Sequence, residues 1–392
     1  QFSRNSAATR VNAQGLVENV QILSSNLVSN GDFSQEGVQE VSNGSFSQEG
    51  SELITNGDFA TDSDWTTTTN TTITNNKAEF INAISNSDFI QQSIAAPSGK
   101  FYKLQLDVSN LGDGESIKIR FPFQDTSITT NGTHTIYKKG EDSNFLRITP
   151  NSATATFSID NVSVKEVGQD WTLGTGWSIG DGVISGSNTS NFSRQSLTDT
   201  IQDTRVYKVS FEVLNYSSGQ ARINLYGSNK WASTSIVSSN GVFTEYLNLN
   251  SANAGGSFND TVLIQGYSGF NGSITNISVK EVGQDWVFGS GFSIGNDVAI
   301  GTSATGVLYT NITITSSNKA RIKADVDISG GGIQLRVGGV SLGYFYDNID
   351  YVFTSNGNGL VEFVGQSFTG TITNISVIEI TDDTNLPRIN YE

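Results

Sequence analysis

The sequence predicts an all-β protein made of three tandem antiparallel β-sandwich domains of jelly-roll type. Three observations predict this fold: a long internal repeat, apolar residues at every second position, and many turn-forming residues. Gly accounts for 41 of the 392 residues and Pro for only 4, a composition that suits short strands joined by tight turns. No segment carries the i, i+3, i+4, i+7 apolar pattern of an amphipathic helix over three turns.

The internal repeat divides the chain into modules. NVSVKEVGQDW at 161–171 recurs as NISVKEVGQDW at 276–286, an offset of 276 − 161 = 115 residues. A shorter copy, NISVIEI, begins at Asn374, which is 374 − 276 = 98 residues later. Both intervals are close to the size of an independent domain, so they indicate an array of complete modules and not a solenoid of short repeats.

Alignment of the copies sets the predicted boundaries. These are an N-terminal segment at 1–51, module one at 52–167, module two at 168–282, module three at 283–380 and a C-terminal segment at 381–392. The closing KEV strand passes directly into GQDW, with no Pro-rich or Gly-Ser-rich linker between modules. Because flexible linkers are missing, we expect fixed orientations between modules, as in a rod or stalk.

Period-2 alternation marks the same strand in each module, with one apolar and one polar face, as in antiparallel sheets packed on one side. Its apolar positions are Tyr102, Leu104, Leu106 and Val108, then Tyr207, Val209, Phe211 and Val213, then Ala320, Ile322, Ala324, Val326 and Ile328. The following strand also recurs, with Ile117 and Ile119, then Ile223 and Leu225, then Ile333 and Leu335.

The charge balance argues against two classes of partner. The formal net charge is −16, with 22 basic residues scattered among 38 acidic ones. Binding to nucleic acid or to an anionic membrane surface needs clustered Lys and Arg, so neither partner is expected. No apolar run is long enough for membrane insertion. Cys is absent, so each module must be held by its own core. Met is also absent, even at position 1, which indicates a processed chain or part of a longer polypeptide.

A smaller duplication precedes module one. LVSNGDFSQEG begins at Leu27, VSNGSFSQEG at Val41 and LITNGDF at Leu53. Asn-Gly followed by an aromatic residue is a turn signal leading into a strand. The first two copies have no module directly behind them. They are therefore either remnants of duplication or short strands that lie along a neighbour.

NGDF, Trp65 and the closing FSIDNVSVKEV at 157–167 resemble the carbohydrate-binding-module superfamily of β-jelly rolls. The resemblance covers 52–380 and implies glycan binding on a concave sheet or at loop ends. It also implies a possible structural calcium in module one, held by Asp58 and by Asp160, where a bulge interrupts the alternation. Thr275 and Thr373 replace Asp160 in the other modules, so the site is confined to module one, and no cofactor is required.

The chain ends carry a second resemblance. FSRNSAATRVNAQGLVE at 2–18 and NLPRINY at 385–391 resemble segments of bacteriophage fibre and appendage proteins. In that family the two segments follow one another closely, so the module array is similar to an insertion between them. The resemblance implies that both ends meet in a small β platform, on a virion surface facing the extracellular medium. It also implies other virion proteins as partners and a homo-oligomer, with a trimer favoured.

Aromatic residues supply the candidate glycan sites. Trp65, Trp177 and Phe292 are predicted to be equivalent, as are Trp171 and Trp286, and such repeated aromatics are expected in the cores. Trp231 has no counterpart, and with Tyr226 it forms a candidate stacking platform on a loop, the alternative being a loop anchor or a subunit contact. In the crowded aromatic stretch of module three, Tyr344 and Tyr346 are a second candidate set.

Nothing in the sequence points to catalysis. His134 is the single His, which leaves almost nothing for a His-based catalytic triad. The phosphate-binding motifs GxGxxG and GxxxxGK(S/T) do not occur. Three functions remain open: a non-enzymatic phage fibre that binds host cell-surface polysaccharide, a purely structural virion spacer or decoration protein, and the non-catalytic arm of a secreted polysaccharide-degrading enzyme. The phage-like ends disfavour the third.

Overall fold

The fold is all-β. The computed structural model describes residues 9–11, 15, 17–19, 21–121, 125–249 and 253–382. Its regular elements are 32 strands, every paired ladder is antiparallel, and the described residues contain no α-helix. Accordingly, no helix in this part of the chain is long and apolar enough to cross a membrane. The predicted fold class is confirmed.

Short strands precede and open the first module. The N-terminal strands are β1 (Thr9–Val11), β2 (Val17–Asn19), β3 (Gln21–Leu23), β4 (Glu36–Gln39) and β5 (Glu49–Glu52). Module one contains β6 (Thr66–Thr67), β7 (Thr71–Thr74), β8 (Lys77–Ile84), β9 (Ile90–Ala96), β10 (Phe101–Ser109), β11 (Ile117–Arg120), β12 (Asp125–Ile128), β13 (Gly132–Lys139), β14 (Ser143–Pro150) and β15 (Thr154–Val167).

The strand order of module one is that of a jelly roll. One sheet runs β13-β10-β15-β8-β7 and the other runs β12-β11-β14-β9-β6. From β8 to β15 the chain changes sheets at every connection except β11–β12, which winds two antiparallel sheets around one core. The alternation read from the sequence is borne out, because Leu104, Leu106 and Val108 are buried while the residues between them are partly exposed.

Modules two and three repeat this order with longer strands. Module two contains β16 (Trp171–Thr172), β17 (Trp177–Gly180), β18 (Val183–Thr189), β19 (Phe192–Ser196), β20 (Val206–Tyr226), β21 (Lys230–Ser233), β22 (Gly241–Asn248), β23 (Asn253–Ala254) and β24 (Thr261–Val282). Module three contains β25 (Val287–Phe288), β26 (Phe292–Gly295), β27 (Val298–Ala304), β28 (Val307–Asn311), β29 (Lys319–Val337), β30 (Val340–Phe345), β31 (Ile349–Thr354) and β32 (Leu360–Asp382). In module two, β20 and β24 each correspond to two strands of module one. The ladder between β20 and β24 shifts register between Leu214 and Gln220.

Each module surrounds a hydrophobic cluster, and two clusters extend across a junction: that of module two includes Phe101 and Val167, and that of module three includes Val206 and Val282. The repeated aromatics belong to these clusters, as predicted: Trp65, Trp171, Trp177, Trp286 and Phe292 are all buried. From 66 to 382, each described ladder joins strands of a single predicted module. The boundaries near 167/168 and 282/283 are retained as a proposal.

The predicted equivalence of Trp65 with Trp177 is wrong. Trp65, Trp171 and Trp286 each follow an Asp with positive φ, of 66°, 72° and 72°. Each of these Trp rings also packs on a Phe ring, Phe59, Phe46 or Phe33 respectively, with centroids 5.1–5.2 Å apart. The ladder positions of Trp177 and Phe292, opposite Gly186 and Gly301, correspond to Thr71 opposite Phe80. Module one thus exchanges the large and the small member of this cross-strand pair.

Residues 21–59, here called the strap, run along all three modules. The strap contains three turns at 30–33, 43–46 and 56–59, spaced 43 − 30 = 13 and 56 − 43 = 13 residues apart. The first turn packs Phe33 on Trp286 of module three, and the second packs Phe46 on Trp171 of module two. The third belongs to module one itself. The NGDF copies are therefore strands that lie along a neighbour, the second of the two alternatives, and they meet the modules in reverse order.

A bulge in the closing strand receives each strap turn. The bulged residues are Asn161, Asn276 and Asn374, with φ of 51°, 53° and 53°. The next residue in each case donates its N–H to a strap glycine: Val162 to Gly57 at 2.8 Å, Ile277 to Gly44 at 3.0 Å and Ile375 to Gly31 at 2.9 Å. A Cβ at any of these glycines would overlap the carbonyl of that same residue. The contact is therefore possible only with Gly, and it explains why the Asn-Gly pair recurs.

Two strap carboxylates fasten the strap to the modules it crosses. Glu49 accepts hydrogen bonds from Lys103 and Lys165 at 2.7 and 3.0 Å, and Glu36 accepts from Lys208 and Lys280 at 2.6 and 2.8 Å. These lysine hydrogen bonds lower the pKa of both carboxyls. At module three the corresponding strap residue is Leu23, which is exposed. The ion-pair clamps therefore belong to modules one and two.

Tyrosines join successive modules. The Tyr137 hydroxyl donates to Asp181 of module two at 3.1 Å, and the Asn296 N–H of module three donates to the Tyr246 hydroxyl at 3.0 Å. Both tyrosines occupy the same ladder position, opposite Lys103 and Lys208. The junction is thus repeated, in keeping with modules held in fixed orientations.

The predicted β platform lies mostly outside the described residues. The structure describes a hairpin between β1 and β2, but residues 385–391 and much of 2–18 lie beyond its described part. Strand β3 pairs with the end of β32, with Leu23 opposite Ile380 and Gln21 opposite Asp382. The strands that lead to the two chain ends are therefore neighbours, and the platform itself stays a prediction.

Removal of one strap anchor should destabilise one module. In Phe46→Ala, the ring that packs on Trp171 is lost, and a Phe→Ala change in a core costs about 3 kcal/mol or more. We expect faster amide hydrogen exchange in β24 and in residues 41–52, with β15 of module one unaffected. Gln48→Ala, at an exposed position two residues away, is the control. Equal acceleration in all modules would contradict a local role for the turn.

Glu40 should destabilise the strap at neutral pH. Burial raises its pKa above 4.5, and the charges of Asp199 and Glu281 add to the effect. A carboxyl with a raised pKa in the folded state costs stability above that pKa and nothing below its unfolded value. Glu40→Gln should therefore raise Tm at about pH 8, and the difference from the parent protein should shrink as the pH falls and vanish below about pH 4.5. A Tm difference independent of pH would rule out this explanation.

Candidate functional site

The outer face of one module-two sheet gathers the chemistry of the candidate site. Strands β19, β24, β20 and β21 lie side by side in this order. Their inward residues, such as Ile223, Leu225 and Ile264, belong to the core. Period-2 alternation then places the residues between them on the opposite surface. We call this surface the module-two face; its members are Phe192, Arg194, Arg222, Asn224, Tyr226, Trp231, Leu263, Gln265 and Tyr267.

Tyr226 and Trp231 form the aromatic end of the face. They are directly opposed on β20 and β21, with ring centroids 5.7 Å apart and planes 16° from parallel. Both side chains are half-buried. The sequence placed them on a loop, but both lie in strands, because β20 continues through Leu225 and turns back at 227–229. Strands hold the two rings more rigidly than a loop would.

Phe258 extends this aromatic surface. Its ring lies 5.5 Å from both Tyr226 and Phe192, edge to face in each case. The Arg194 guanidinium lies 5.1 Å from the same ring. Phe258 enters from the connection before β24, so its position could not be read from strand alternation. Phe192, by contrast, alternates with buried Ser193 and is exposed.

Polar groups occupy the centre of the face. Asn224 is 1 % exposed, and its Nδ2 donates to the Gln265 Oε1 at 3.1 Å. The Asn224 Oδ1 and the Arg222 Nε are buried without a hydrogen-bond partner among the described residues. A buried polar atom left unpaired costs about 1–3 kcal/mol. A ligand hydroxyl is suited to donate to the Asn224 Oδ1, and a ligand hydroxyl or carboxylate oxygen to accept from the Arg222 Nε.

The equivalent faces of the other modules differ in charge. In module one, Arg120 makes a paired contact with Asp125, and Arg147 lies over Phe89 at 4.2 Å. In module three, Arg336 lies 3.6 Å from Glu362, which is largely buried. The fold is shared, but each module presents its own combination of arginine, carboxylate and aromatic groups.

Tyr344 and Tyr346 both point into solvent, with exposed fractions of 58 % and 68 %. Tyr344 lies on β30 opposite Gln334, and Phe345 between the two tyrosines packs against the core. The Tyr346 ring covers Gly332, where a Cβ would collide with it. These rings are therefore accessible, but they are separated from Tyr226 and Trp231 because they belong to another module.

The calcium prediction rests on few oxygens. Asp160 lies at the predicted bulge, and its Oδ1 accepts the Asn161 N–H at 2.7 Å. Asp58 is exposed, and its Oδ1 accepts the Ala60 N–H at 3.4 Å. Over the described ranges, no three His, Cys, Asp or Glu side chains gather as a metal site would require. Calcium prefers six to eight oxygens, so these two carboxylates alone do not fit it, and calcium in module one stays a prediction.

On the module-two face, burial raises the pKa of Tyr226, whereas the carboxyl groups with raised pKa values lie elsewhere. Burial raises the pKa of Glu281 as it does that of Glu40, and both belong to the contact between strap and module two. His134 is half-buried in module one, with its Nε2 2.9 Å from the Thr130 carbonyl oxygen. No arrangement of acid, base and nucleophile is found on the module-two face as described.

The candidate site is a surface and not a deep pocket. Clefts of about 340 and 560 Å³ lie on either side of Tyr137, at the junction of modules one and two. None of the four predicted glycan residues lines either cleft. Shallow aromatic surfaces suit extended polymers, whereas small ligands favour enclosed cavities.

Several members of the face were missed by sequence reasoning. Arg194, Arg222 and Gln265 alternate with core residues, so their outward direction was readable from the sequence. That they share one surface depends on the order β19-β24-β20, in which β19 and β20 are joined through a strand from much later in the chain. That order follows from the jelly-roll winding and not from any local signal.

Comparisons with known proteins leave the family open. No protein-family model and no curated protein matches the chain. Similar solved structures include the N-terminal CBM22-1–CBM22-2 tandem domain of Xyn10C from Paenibacillus barcinonensis, at 10 % identity and a TM-score of 0.23, covering 60 % of this chain and 99 % of that chain.

Two viral structures are also similar. A chain from the triple jelly roll fold and turret assembly of an archaeal virus is 14 % identical, covers 82 % of this chain and 90 % of that chain, and has a TM-score of 0.17. A chain from Sulfolobus Turreted Icosahedral Virus is 14 % identical, covers 81 % and 90 %, and has a TM-score of 0.18. Scores this low carry no argument, so the jelly-roll assignment rests on the strand order of the chain itself.

The calcium prediction can be tested by measuring the Tm of metal-stripped protein as calcium is added. Calcium bound at Asp58 and Asp160 would raise Tm with ligand concentration, by the linkage between binding and folding. Asp160→Asn should abolish that shift, while Asp32→Asn, in the strap turn of module three, should leave it intact. An unchanged Tm at millimolar calcium would contradict the site.

Proposed function

We propose that this chain is a non-enzymatic glycan-binding protein whose module-two face contacts polysaccharide. The observation that carries the proposal is the pairing of Tyr226 and Trp231 on adjacent strands, beside the buried and unpaired polar atoms of Asn224 and Arg222. Aromatic rings offer an apolar surface to sugar rings, and the polar atoms offer hydrogen bonds to their hydroxyls. Tyr344 and Tyr346 supply a second, separate contact in module three.

The wider setting we propose is a phage virion fibre or appendage on the extracellular side of the particle. It is supported by the resemblance of residues 2–18 and 385–391 to such proteins. The expected partners are other virion proteins and host surface polysaccharide, in a homo-oligomer for which a trimer is favoured. The acidic composition favours a protein that stays soluble and does not adhere non-specifically to polyanions.

Repetition of modules suits weak individual contacts. Each face is shallow, so affinity for a polymer would come from several modules and several copies acting together. The Tyr137 and Tyr246 junctions and the strap favour fixed spacing between the faces. Fixed spacing raises the effective concentration of a second site only where the polymer can reach both.

A purely structural spacer or decoration protein is the second candidate. The repeated junctions and the continuous strap favour it, since both serve rigidity and neither needs a ligand. The arm of a secreted polysaccharide-degrading enzyme is the third. It shares the glycan-binding face with the first candidate and would differ in the chain to which it is joined.

The double variant Tyr226→Ala/Trp231→Ala should lose adsorption to host cells. Loss of two aromatic contacts should reduce affinity at least about tenfold, because such residues dominate the binding energy of surface contacts. Tyr351→Ala, a partly exposed aromatic on β31, is the matched control. Circular dichroism and Tm should show that module two remains folded in the double variant.

Unchanged adsorption of a folded double variant would exclude the module-two face as the contact. If Tyr344→Ala/Tyr346→Ala alone reduces adsorption, the contact lies in module three. Hydrolysis of a polysaccharide by the purified protein would overturn the non-enzymatic proposal.

A further inference from the structure

Arginine is concentrated on one kind of surface in this acidic protein. Seven arginines have described side chains, namely Arg120, Arg147, Arg194, Arg205, Arg222, Arg321 and Arg336. Five of them, all but Arg205 and Arg321, project from the outer faces of the equivalent sheets in the three modules, because each alternates with core residues. A net charge of −16 makes this clustering of cations a feature to be explained.

Among the described residues, the two arginines of the module-two face have no carboxylate partner. Arg120 pairs with Asp125 in module one, and Arg336 with Glu362 in module three. Within the described residues, neither Arg194 nor Arg222 forms a salt bridge. The module-two face therefore carries two cations without a carboxylate partner. In module one, Arg147 likewise has no carboxylate partner among the described residues, but its Nε donates to the Gln91 Oε1 at 2.8 Å.

Aromatic rings hold both guanidinium groups in place. Arg194 lies 5.1 Å from the Phe258 ring and Arg222 lies 5.0 Å from the Tyr267 ring. A guanidinium stacked on a ring keeps its N–H groups available at its edge, in the planar fork that suits a carboxylate. The buried Arg222 Nε has no partner among the described residues, so at least one of these donors is unused.

We propose that the module-two face binds an acidic saccharide. Its anionic group, a carboxylate, sulfate or phosphate, is held by Arg222 and Arg194, which lie on β20 and β19 on either side of β24. A neighbouring sugar ring lies against Tyr226 and Trp231, and its hydroxyls pair with Asn224. This inference rests on the proposed function and adds the charge of the ligand to it.

The acidity of the whole chain does not oppose this site. At about 0.1 M salt, charges more than roughly 10 Å away are largely screened, whereas the two guanidinium groups act at contact distance. Carboxylates outside the module-two face disfavour loose binding of a polyanion to the surface around them. The combination gives selectivity, since a polyanion gains only where its charge meets the paired arginines.

Four polymers test the proposal with the full chain: polygalacturonate, the same polymer after carboxyl reduction, dextran sulfate and plain dextran. We expect polygalacturonate or dextran sulfate to bind at least about tenfold more tightly than its neutral counterpart, as loss of charge-assisted hydrogen bonds predicts. Preference for polygalacturonate indicates a carboxylate ligand, and preference for dextran sulfate indicates a sulfate-like ligand.

Variants assign the effect to the two arginines. Arg222→Gln and Arg194→Gln should each remove most of the preference for the charged polymer and leave Tm within the range of the control. Arg321→Gln is that control, because Arg321 is exposed and paired with Asp350 on another surface. If Arg222→Gln proves unstable, Arg194→Gln alone decides.

The outcomes separate this inference from the proposed function. One outcome is that charged and neutral polymers bind equally and that this binding is lost in Tyr226→Ala/Trp231→Ala. That outcome would overturn the proposal of an acidic ligand and would support glycan binding. Charge preference that survives in both arginine variants would place the anion elsewhere and overturn the inference. No binding to any of the four polymers would count against both.

Discussion

The contact between an Asn-Gly turn and a bulged closing strand is the interaction on which the rest of this structure depends. It occurs three times, with Gly31, Gly44 and Gly57 each accepting a hydrogen bond from the residue after the bulge. Only glycine permits the approach, since a Cβ would overlap a carbonyl oxygen in every case. A Phe three residues after the turn Asn then packs on the first Trp of the module, which seals the end of the core.

This contact makes the strap a fixed-length connector. Successive turns are 13 residues apart, and 13 residues can span at most roughly 45 Å, which bounds the distance between equivalent points of neighbouring modules. Because the turns meet the modules in reverse order, the strap segment that packs on module three is synthesised before any module. It can pack there only after the last part of the chain has been synthesised. Modules two and three thus depend on contacts across more than 200 residues, such as Trp286 Nε1 with the Asn30 carbonyl at 3.1 Å. Such non-local contacts slow folding but tie the array into one unit.

The same scaffold carries different chemistry in each module. The jelly roll fixes which residues face outward, so substitution at those positions changes charge and aromatic content without disturbing the core. Arg120 with Asp125 and Arg336 with Glu362 are internally neutral, whereas Arg194 and Arg222 are balanced by aromatic rings and not by carboxylates. The modules therefore differ on this outer surface as well as inside, where Trp177 and Gly186 take the places of Thr71 and Phe80.

The sequence by itself determined the fold class, the strand alternation, the bulge at Asp160 and the burial of the repeated tryptophans. These depend on local pattern: period-2 burial, Asn-Gly turns and aromatic size act over a few residues. The sequence did not determine the destination of the first two NGDF copies, because pairing across hundreds of residues leaves no local mark. For the same reason Trp65 was aligned with Trp177, although the Asp-Trp pairs at 64–65, 170–171 and 285–286 carried the right correspondence. Only the tertiary structure decided that Arg194, Arg222, Tyr226 and Trp231 share one surface, since the strand order of a jelly roll brings together residues that the chain keeps apart.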